Sequence, residues 1–321
     1  MARTLGADVG GAEGAPAGIG ERLRAGREET PWGVILVFLA PALVMYLALT
    51  AYPIVKTFYN SVHLIQPNQP YRFVGLSNYL ELLTGDLIFE KALVNTFIWA
   101  TVAPVVDVTL GLLLAACLYV RIPWSRFFRV AWFSPVLISY VVVGVIWMWI
   151  YNYDWGAANG LLRWLGLGDW AHIWLGDPRT ALWAVILVDA WKWVGFHMVV
   201  CLAALHSLPR ELIEAAELDN CGFWQKLVFI EIPLIRTTLV GLLILAFIGK
   251  MKVFDLVWIM TKGGPLWSTE TLATYTYKRA FEWQTFDLGY PSAIAVVSFL
   301  LVIVIVLLAS WLVRRRERLE F

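Results

Sequence analysis

Seven residues place charge or an indole face inside long apolar runs: Asp107, Asp189, Lys192, Lys250, Lys252, Asp255 and Trp258. An ionised side chain in hydrocarbon is costly, so such groups face protein or a water-filled cavity, paired with one another or with a polar passenger. Asp189 and Lys192, and again Lys252 and Asp255, are spaced i,i+3, which on a helix sets each carboxylate beside an ammonium. Carboxylates and an aromatic face suit an oxygen-rich solute through hydrogen bonds and apolar contact, whereas Lys250 and Lys252 equally suit a phosphorylated or carboxylated one. Simple pairing within a helix bundle accounts for the same charges without a solute. A second polar group runs from Ser207 to Pro233, where Glu211, Glu214, Glu217 and Asp219 surround an apolar face of Leu208, Leu212, Ala215, Ala216 and Leu218. Neither group pairs a nucleophile with a base. His197 is isolated, Cys117, Cys201 and Cys221 lack metal-site spacing, and Gly263-Gly264-Pro265 lacks the ending of a phosphate loop. Catalysis, a metal and a cofactor bound by this chain are therefore not expected.

The elements that must hold these residues are transmembrane helices. Apolar residues make up 60% of the chain and charged residues 15%, against about 25% charged in soluble domains. Six segments reach the roughly 20 apolar residues that cross a bilayer: 32–52, 93–119, 131–151, 181–205, 235–260 and 291–313. The reading is an all-α polytopic membrane protein with a six-helix transmembrane domain over 31–313. It has a polar tail at 1–30, a helical hairpin at 206–234 within the domain, and a basic tail at 314–321. The first apolar stretch is too long and too far in for a cleaved signal peptide. Arg22, Arg24 and Arg27, the loop of Arg121, Arg126 and Arg129, and Arg314, Arg315, Arg316 and Arg318 all fall on one side under this count. The positive-inside bias makes that side cytoplasmic, with both termini there. A net charge of +1 and no basic aromatic patch argue against nucleic acid.

Within the hairpin, Ser207 is the expected N-cap, Pro209 fits a first turn, and Gly222 is the expected reversal before a second helix. Asn220 tolerates the left-handed region better than most residues. In the fifth-to-sixth connection, Gly263, Gly264 and Pro265 mark an abrupt turn at the membrane edge.

Two stretches carry a family resemblance. Glu214, Ala215, Ala216 and Asp219 match the E-A-A-x-x-D-G-A coupling loop of permease subunits in ATP-binding-cassette importers, and Ile230 and Ile232-Pro233 continue the pattern. Asn220 and Cys221 replace its Gly-Ala, and Leu227 stands where Phe is common. Thr261, Gly263, Gly264, Pro265, Ser268, Thr269, Glu270, Thr271 and Leu272 match a second segment, T-x-G-G-P followed by S-T-E-T-L. Phe73 to Leu83 and Asn159 to Leu162 add weaker matches. The chain resembles maltose-type permease subunits of binding-protein-dependent importers, carbohydrate-uptake class. That resemblance implies the type I ABC importer permease fold, with six transmembrane helices, in a prokaryotic cytoplasmic (inner) membrane. It implies a second related permease subunit, two cytoplasmic ATPase subunits that bind ATP and Mg2+, and an extracytoplasmic solute-binding protein. Glu214, Ala215, Ala216, Asp219, Asn220 and Gly222 would then meet the ATPase, with Glu214 the leading contact. The cargo would be a sugar, or alternatively a polyol or glycerophosphate-type solute. An ion-coupled transporter would use intramembrane carboxylates as proton or sodium sites, which the coupling-loop motif argues against, and a non-transporting membrane scaffold would use the acidic hairpin only to recruit a cytoplasmic partner.

Overall fold

A computed structural model describes residues 32–66, 69–120, 123–283 and 287–317. The tail 1–30 with its arginines, Arg121 and Arg318 lie outside the described residues. The chain divides into two compact units, residues 1–56 and 57–321.

The first long helix joins α1 (Trp32–Tyr46), a π turn at Leu47–Ala51 and α2 (Tyr52–Ser61). It runs on past Tyr52, where the sequence pattern ends the first span. Pro53 has no N–H to give its own turn, and the widened turn just before it, with Tyr52 N–H reaching back to the Leu47 carbonyl, lets the helix continue. The same device recurs at Pro233, where Ile232 N–H reaches the Leu227 carbonyl.

Among the described residues, the regular structure of the second unit is helical apart from a two-stranded antiparallel hairpin, β1 (His63–Leu64) with β2 (Arg72–Phe73), in which His63 faces Phe73. Then come α3 (Ser77–Thr84), α4 (Leu87–Tyr119), α5 (Ser125–Leu137), α6 (Tyr140–Ile150), α7 (Ala157–Trp164) and α8 (Ala181–His206). After these follow α9 (Arg210–Leu218), α10 (Phe223–Lys226), α11 (Ile232–Leu234), α12 (Arg236–Lys250), α13 (Asp255–Met260), α14 (Leu272–Tyr277) and α15 (Gly289–Glu317). Helix α15 carries the last apolar span on into the expected basic tail.

Four helices are long and apolar enough to cross a bilayer alone, and two bent pairs supply the other crossings of a six-span count. The third span is α5 and α6 meeting at 103°, not one helix over 131–151. Pro135 removes an N–H inside the last turn of α5, the Ser134 hydroxyl donates to the freed Ala131 carbonyl, and Ile138 is extended. The fifth is also broken: α12 follows the preceding segment at 74° and stops at Lys250, and Asp255–Met260 forms a separate helix.

Helices α4 and α8 form the central pair and run parallel. Trp99 bonds to Asp189, Gly111 backs onto His197, and Tyr119 meets His206 with ring centroids 5.1 Å apart. Helix α12 runs the other way, since Leu242 packs in the cluster of Leu112, Leu202 and Leu205 while Lys250 reaches Asp107 and Asp189. This alternation is what spans two, four and five of a six-crossing chain require. Three buried clusters run along the bundle: one around Trp99, Val185 and Leu256, one around Leu112, Met198 and Leu205, and one around Phe89, Tyr275 and Ile294.

Small residues set the close approaches. A Cβ on Gly195 would lie 1.9 Å from the Trp132 carbonyl oxygen of α5, whereas one on Gly241 would meet nothing within 4 Å. Gly195→Ala is therefore expected to force α8 off α5 at a cost of about 1–3 kcal/mol. Gly241→Ala should leave stability within about 0.5 kcal/mol. Thermal unfolding of the two purified variants in detergent checks the contrast, and equal melting would contradict the packing described.

Candidate functional site

The charges inside the spans converge, though not with the neighbours their spacing suggests. Asp189 does not pair with Lys192 one turn along α8. Its Oδ2 accepts from Lys250 Nζ at 2.6 Å and from Trp99 Nε1 at 3.0 Å. Lys250 Nζ also lies 3.1 Å from Asp107 Oδ2. Three helices thus meet at one ammonium and two carboxylates, all buried, with Asp107 fully enclosed. Lys250 ends α12, where a cation also complements the helix dipole. Lys192 is spent elsewhere: its Nζ donates to the carbonyls of Pro135, Val136 and Ile138 at 3.1, 3.1 and 2.5 Å. Lys252 and Asp255 share no helical turn, because the chain leaves the helix between Lys250 and Asp255, and among the described residues no ion pair joins them. Both side chains are exposed.

Beside the triad opens a cavity of about 400 Å³. Tyr140, Trp193, Phe196 and Phe254 supply aromatic wall, and Asp189, Lys250, Lys252 and Asp255 supply charge. Asp107 lies behind this wall, and Trp258 packs away from it, stacked on Phe254 at 5.4 Å and edge-on to Tyr277 at 4.8 Å. Trp193 Nε1 donates to the Tyr140 hydroxyl at 2.6 Å. His197 donates from Nδ1 to the Trp193 carbonyl at 3.0 Å and also lines the cavity. Mixed aromatic wall and a few convergent polar groups are the makings of a small-molecule site.

A second site lies at the far end of the bundle. Helix α9 presents Glu211, Glu214, Ala215 and Glu217 to the outside and buries Ala216. Its end is a Schellman turn: Asn220 sits at φ 53°, its N–H reaches the Glu217 carbonyl, and Cys221 N–H reaches that of Ala216. The left-handed residue is therefore Asn220, and Gly222, at φ −69°, instead opens α10 with Gln225 accepting from its N–H at 2.8 Å. Ser207 does not cap α9 either. Its hydroxyl donates to the Ala204 carbonyl at the end of α8, and Pro209 precedes α9 with no side-chain cap. Lys226 ties the hairpin with a 2.9 Å ion pair to Glu217, and Asp219 is exposed at the tip.

At the opposite end, the turn through Gly263, Gly264 and Pro265 wraps a buried ion pair, Glu270 to Lys278 at 2.5 Å. Gly263 has φ 79°, and a Cβ there would lie 2.1 Å from Glu270 Oε2, so its lack of a side chain admits the carboxylate. Lys278 also donates to the Lys262 carbonyl at 2.7 Å. Nearby, Asp86 caps α4 by accepting from Ile88 and Phe89 N–H, while its other oxygen accepts from the hydroxyls of Tyr275 and Tyr290. Burial pushes this carboxyl up, but the two tyrosines, the Phe89 N–H and the Arg279 charge outweigh it and hold Asp86 below the usual carboxylate range.

The profile described as "Binding-protein-dependent transport system inner membrane component" matches residues 107–318. The probable ABC transporter permease protein YurN of Bacillus subtilis is 37% identical over 85% of this chain and 93% of its own. The alpha-glucoside transport system permease protein AglF of Rhizobium meliloti is 34% identical over 92% of this chain and 85% of its own. The chain belongs to this permease family. A crystal structure of a bacterial ABC transporter involved in alginate import has the same fold, at a TM-score of 0.78 and 22% identity over 91% of this chain and 99% of that one.

The permease therefore combines a six-span type I importer fold with three polar centres. Trp193 and Phe196 escaped sequence reasoning, although Asp189, Trp193, Phe196 and His197 recur at i, i+4, i+7 and i+8 and so share one helix face. Trp99, Tyr140 and the Asp86 cluster had no such signal, since their partners lie far off in sequence.

Asp86 carries a pH prediction. Its lowered folded value means stabilisation that is complete above the ordinary carboxylate range and fades as pH falls through the lowered value. Asp86→Asn, which keeps the cap but cannot accept from the tyrosines, should cost about 1.5–3 kcal/mol at neutral pH. The gap to the parent should narrow below about pH 4. Melting temperatures across pH check both the size and the sign.

Proposed function

We propose that this permease forms part of the path by which a sugar, or a closely related oxygen-rich solute, enters a prokaryotic cell. The observation that carries the reading is the cavity of about 400 Å³ beside the buried Asp107, Asp189 and Lys250 cluster. Sugar rings present apolar faces to aromatic walls and hydroxyls to charged groups. Relatives whose names specify glycosides, the alpha-glucoside permease among them, support this cargo class.

In this reading an extracytoplasmic binding protein delivers the solute, a related second permease completes the path, and two cytoplasmic ATPases bind and hydrolyse ATP with Mg2+. The solved alginate transporter in complex with a pentasaccharide-bound periplasmic protein supports such a delivery partner. The hairpin of α9 and α10 lies at the cytoplasmic face with both termini, on the side of Arg126 and Arg129. Its exposed carboxylates and the small Ala215 face suit a groove on the ATPase, Glu214 through an ion pair or charge-assisted hydrogen bond. Coupling requires that these contacts differ between two states of the ATPase pair, because equal binding to both would shift nothing. Asn220 and Gly222 set the direction of the hairpin, and Asp219 meets the partner at its tip.

The test is ATP-dependent uptake by the assembled complex in proteoliposomes, across binding-protein-delivered sugars, polyols and phosphorylated solutes. Uptake of a sugar that vanishes with an ATPase-dead partner is expected, and import of phosphorylated solutes alone would overturn the cargo class. Glu214→Lys should cut uptake at least about tenfold, the loss of one charge-assisted contact replaced by repulsion, while the permease still reaches the membrane. Normal uptake and stimulated ATPase activity from that variant would remove Glu214 from the coupling contact.

A further inference from the structure

The break in the third span poses a physical problem that one side chain solves. The last carbonyls of α5 lose their i+4 donors where the chain turns by 103° into α6, and the Pro135 carbonyl keeps a single backbone donor, the Ile138 N–H at 3.2 Å. Inside a bilayer no water replaces those donors, so an unmet carbonyl there is expensive. Lys192 reaches across from α8, from a position 57 residues later in sequence than Pro135, and donates to Pro135, Val136 and Ile138. An ammonium has three donors, and all three are matched. Its charge also sits at a helix C-terminus, where a cation is favoured. The residue is only 3% exposed and does not line the cavity.

The chain just past the break, by contrast, reaches the cavity. Ile138 is extended, Ser139 accepts from Val142 N–H, and Tyr140 opens α6 with its ring 5.0 Å from Lys192 Nζ. The Tyr140 hydroxyl takes the Trp193 indole N–H at 2.6 Å, and both side chains form cavity wall. Gly195, one turn beyond Lys192 on α8, allows the close approach to α5 that brings the ammonium within reach.

We infer that Lys192 is a positioning residue of the cavity: its ammonium stands in for the backbone donors lost at the break between α5 and α6 and thereby fixes Tyr140 and Trp193 in the wall. This role rests on the reading of the cavity as solute path. It leaves Lys192 no free donor for a solute, and so removes it from the solute-contacting set that its place inside a span suggests.

The test uses the full chain in lipid nanodiscs and amide hydrogen exchange over residues 139–142, which needs no cargo. Lys192→Met should speed exchange there about tenfold or more, and Lys192→Arg, which keeps charge and donors, should restore it to within about threefold of the parent. In the assembled complex, Lys192→Met should lower the maximal uptake rate of the transported sugar with little change in KM. Adding Tyr140→Phe should cost little further, because both changes act through one wall. Unchanged exchange in Lys192→Met would overturn the role, as would a KM rise confined to anionic solutes. If Lys192→Met does not assemble, Lys192→Gln serves, with intermediate exchange expected and parental exchange again overturning the role. A parent complex that moves no cargo would overturn the solute-path reading, while exchange still decides whether Lys192 holds the break.

Discussion

One ammonium held between two carboxylates organises this permease. Lys250 ends α12 against Asp189 of α8 and Asp107 of α4, so three spans are registered at a single buried point. In low dielectric such a set is stable only when complete, because removing one partner strands a charge that the interior cannot solvate. The triad therefore fixes where α12 stops, and the irregular segment after it, with Lys252 and Phe254, can turn toward the cavity, which Asp255 also lines from the start of α13. Cavity, break and charge cluster are one feature seen from three sides.

The two ends of the bundle differ in kind. Around Glu270 and Lys278 the chain closes on itself: a buried ion pair, a glycine with no room for a side chain and the doubly accepting Asp86 tie the starts of α4 and α15 to the connection before α15. In the hairpin at the other end, α9 buries Ala216 and leaves its carboxylates and Leu218 outside. Among the described residues, the hairpin's exposed carboxylates and Leu218 are thus the less covered end of the second unit.

Sequence periodicity reads the long helices well because α4, α8 and α15 satisfy their own backbone groups, so length and apolarity suffice. Asn220 was legible too, since few residues accept a positive φ. The broken spans were not legible, because the group that makes each break tolerable is remote: Lys192 mends the end of α5 from across the bundle, and Lys250 stops α12 on account of Asp107 and Asp189. The i,i+3 spacing misled for the same reason. Local neighbours were available to Asp189 and Lys192, but each is better satisfied by a buried group from another helix. Ser207 shows the converse limit, as a hydroxyl at a helix junction can serve the helix behind it as readily as the one ahead.

The most direct measurement of the central claim is the thermal stability of Lys250→Met beside the triple variant Asp107→Asn, Asp189→Asn, Lys250→Met, each purified as the full chain in detergent. Stranding two buried carboxylates should cost about 3–5 kcal/mol in Lys250→Met, and removing all three charges together should recover most of it. A Lys250→Met protein that melts with the parent would show that the three spans are held by packing alone and that the triad does not organise the fold.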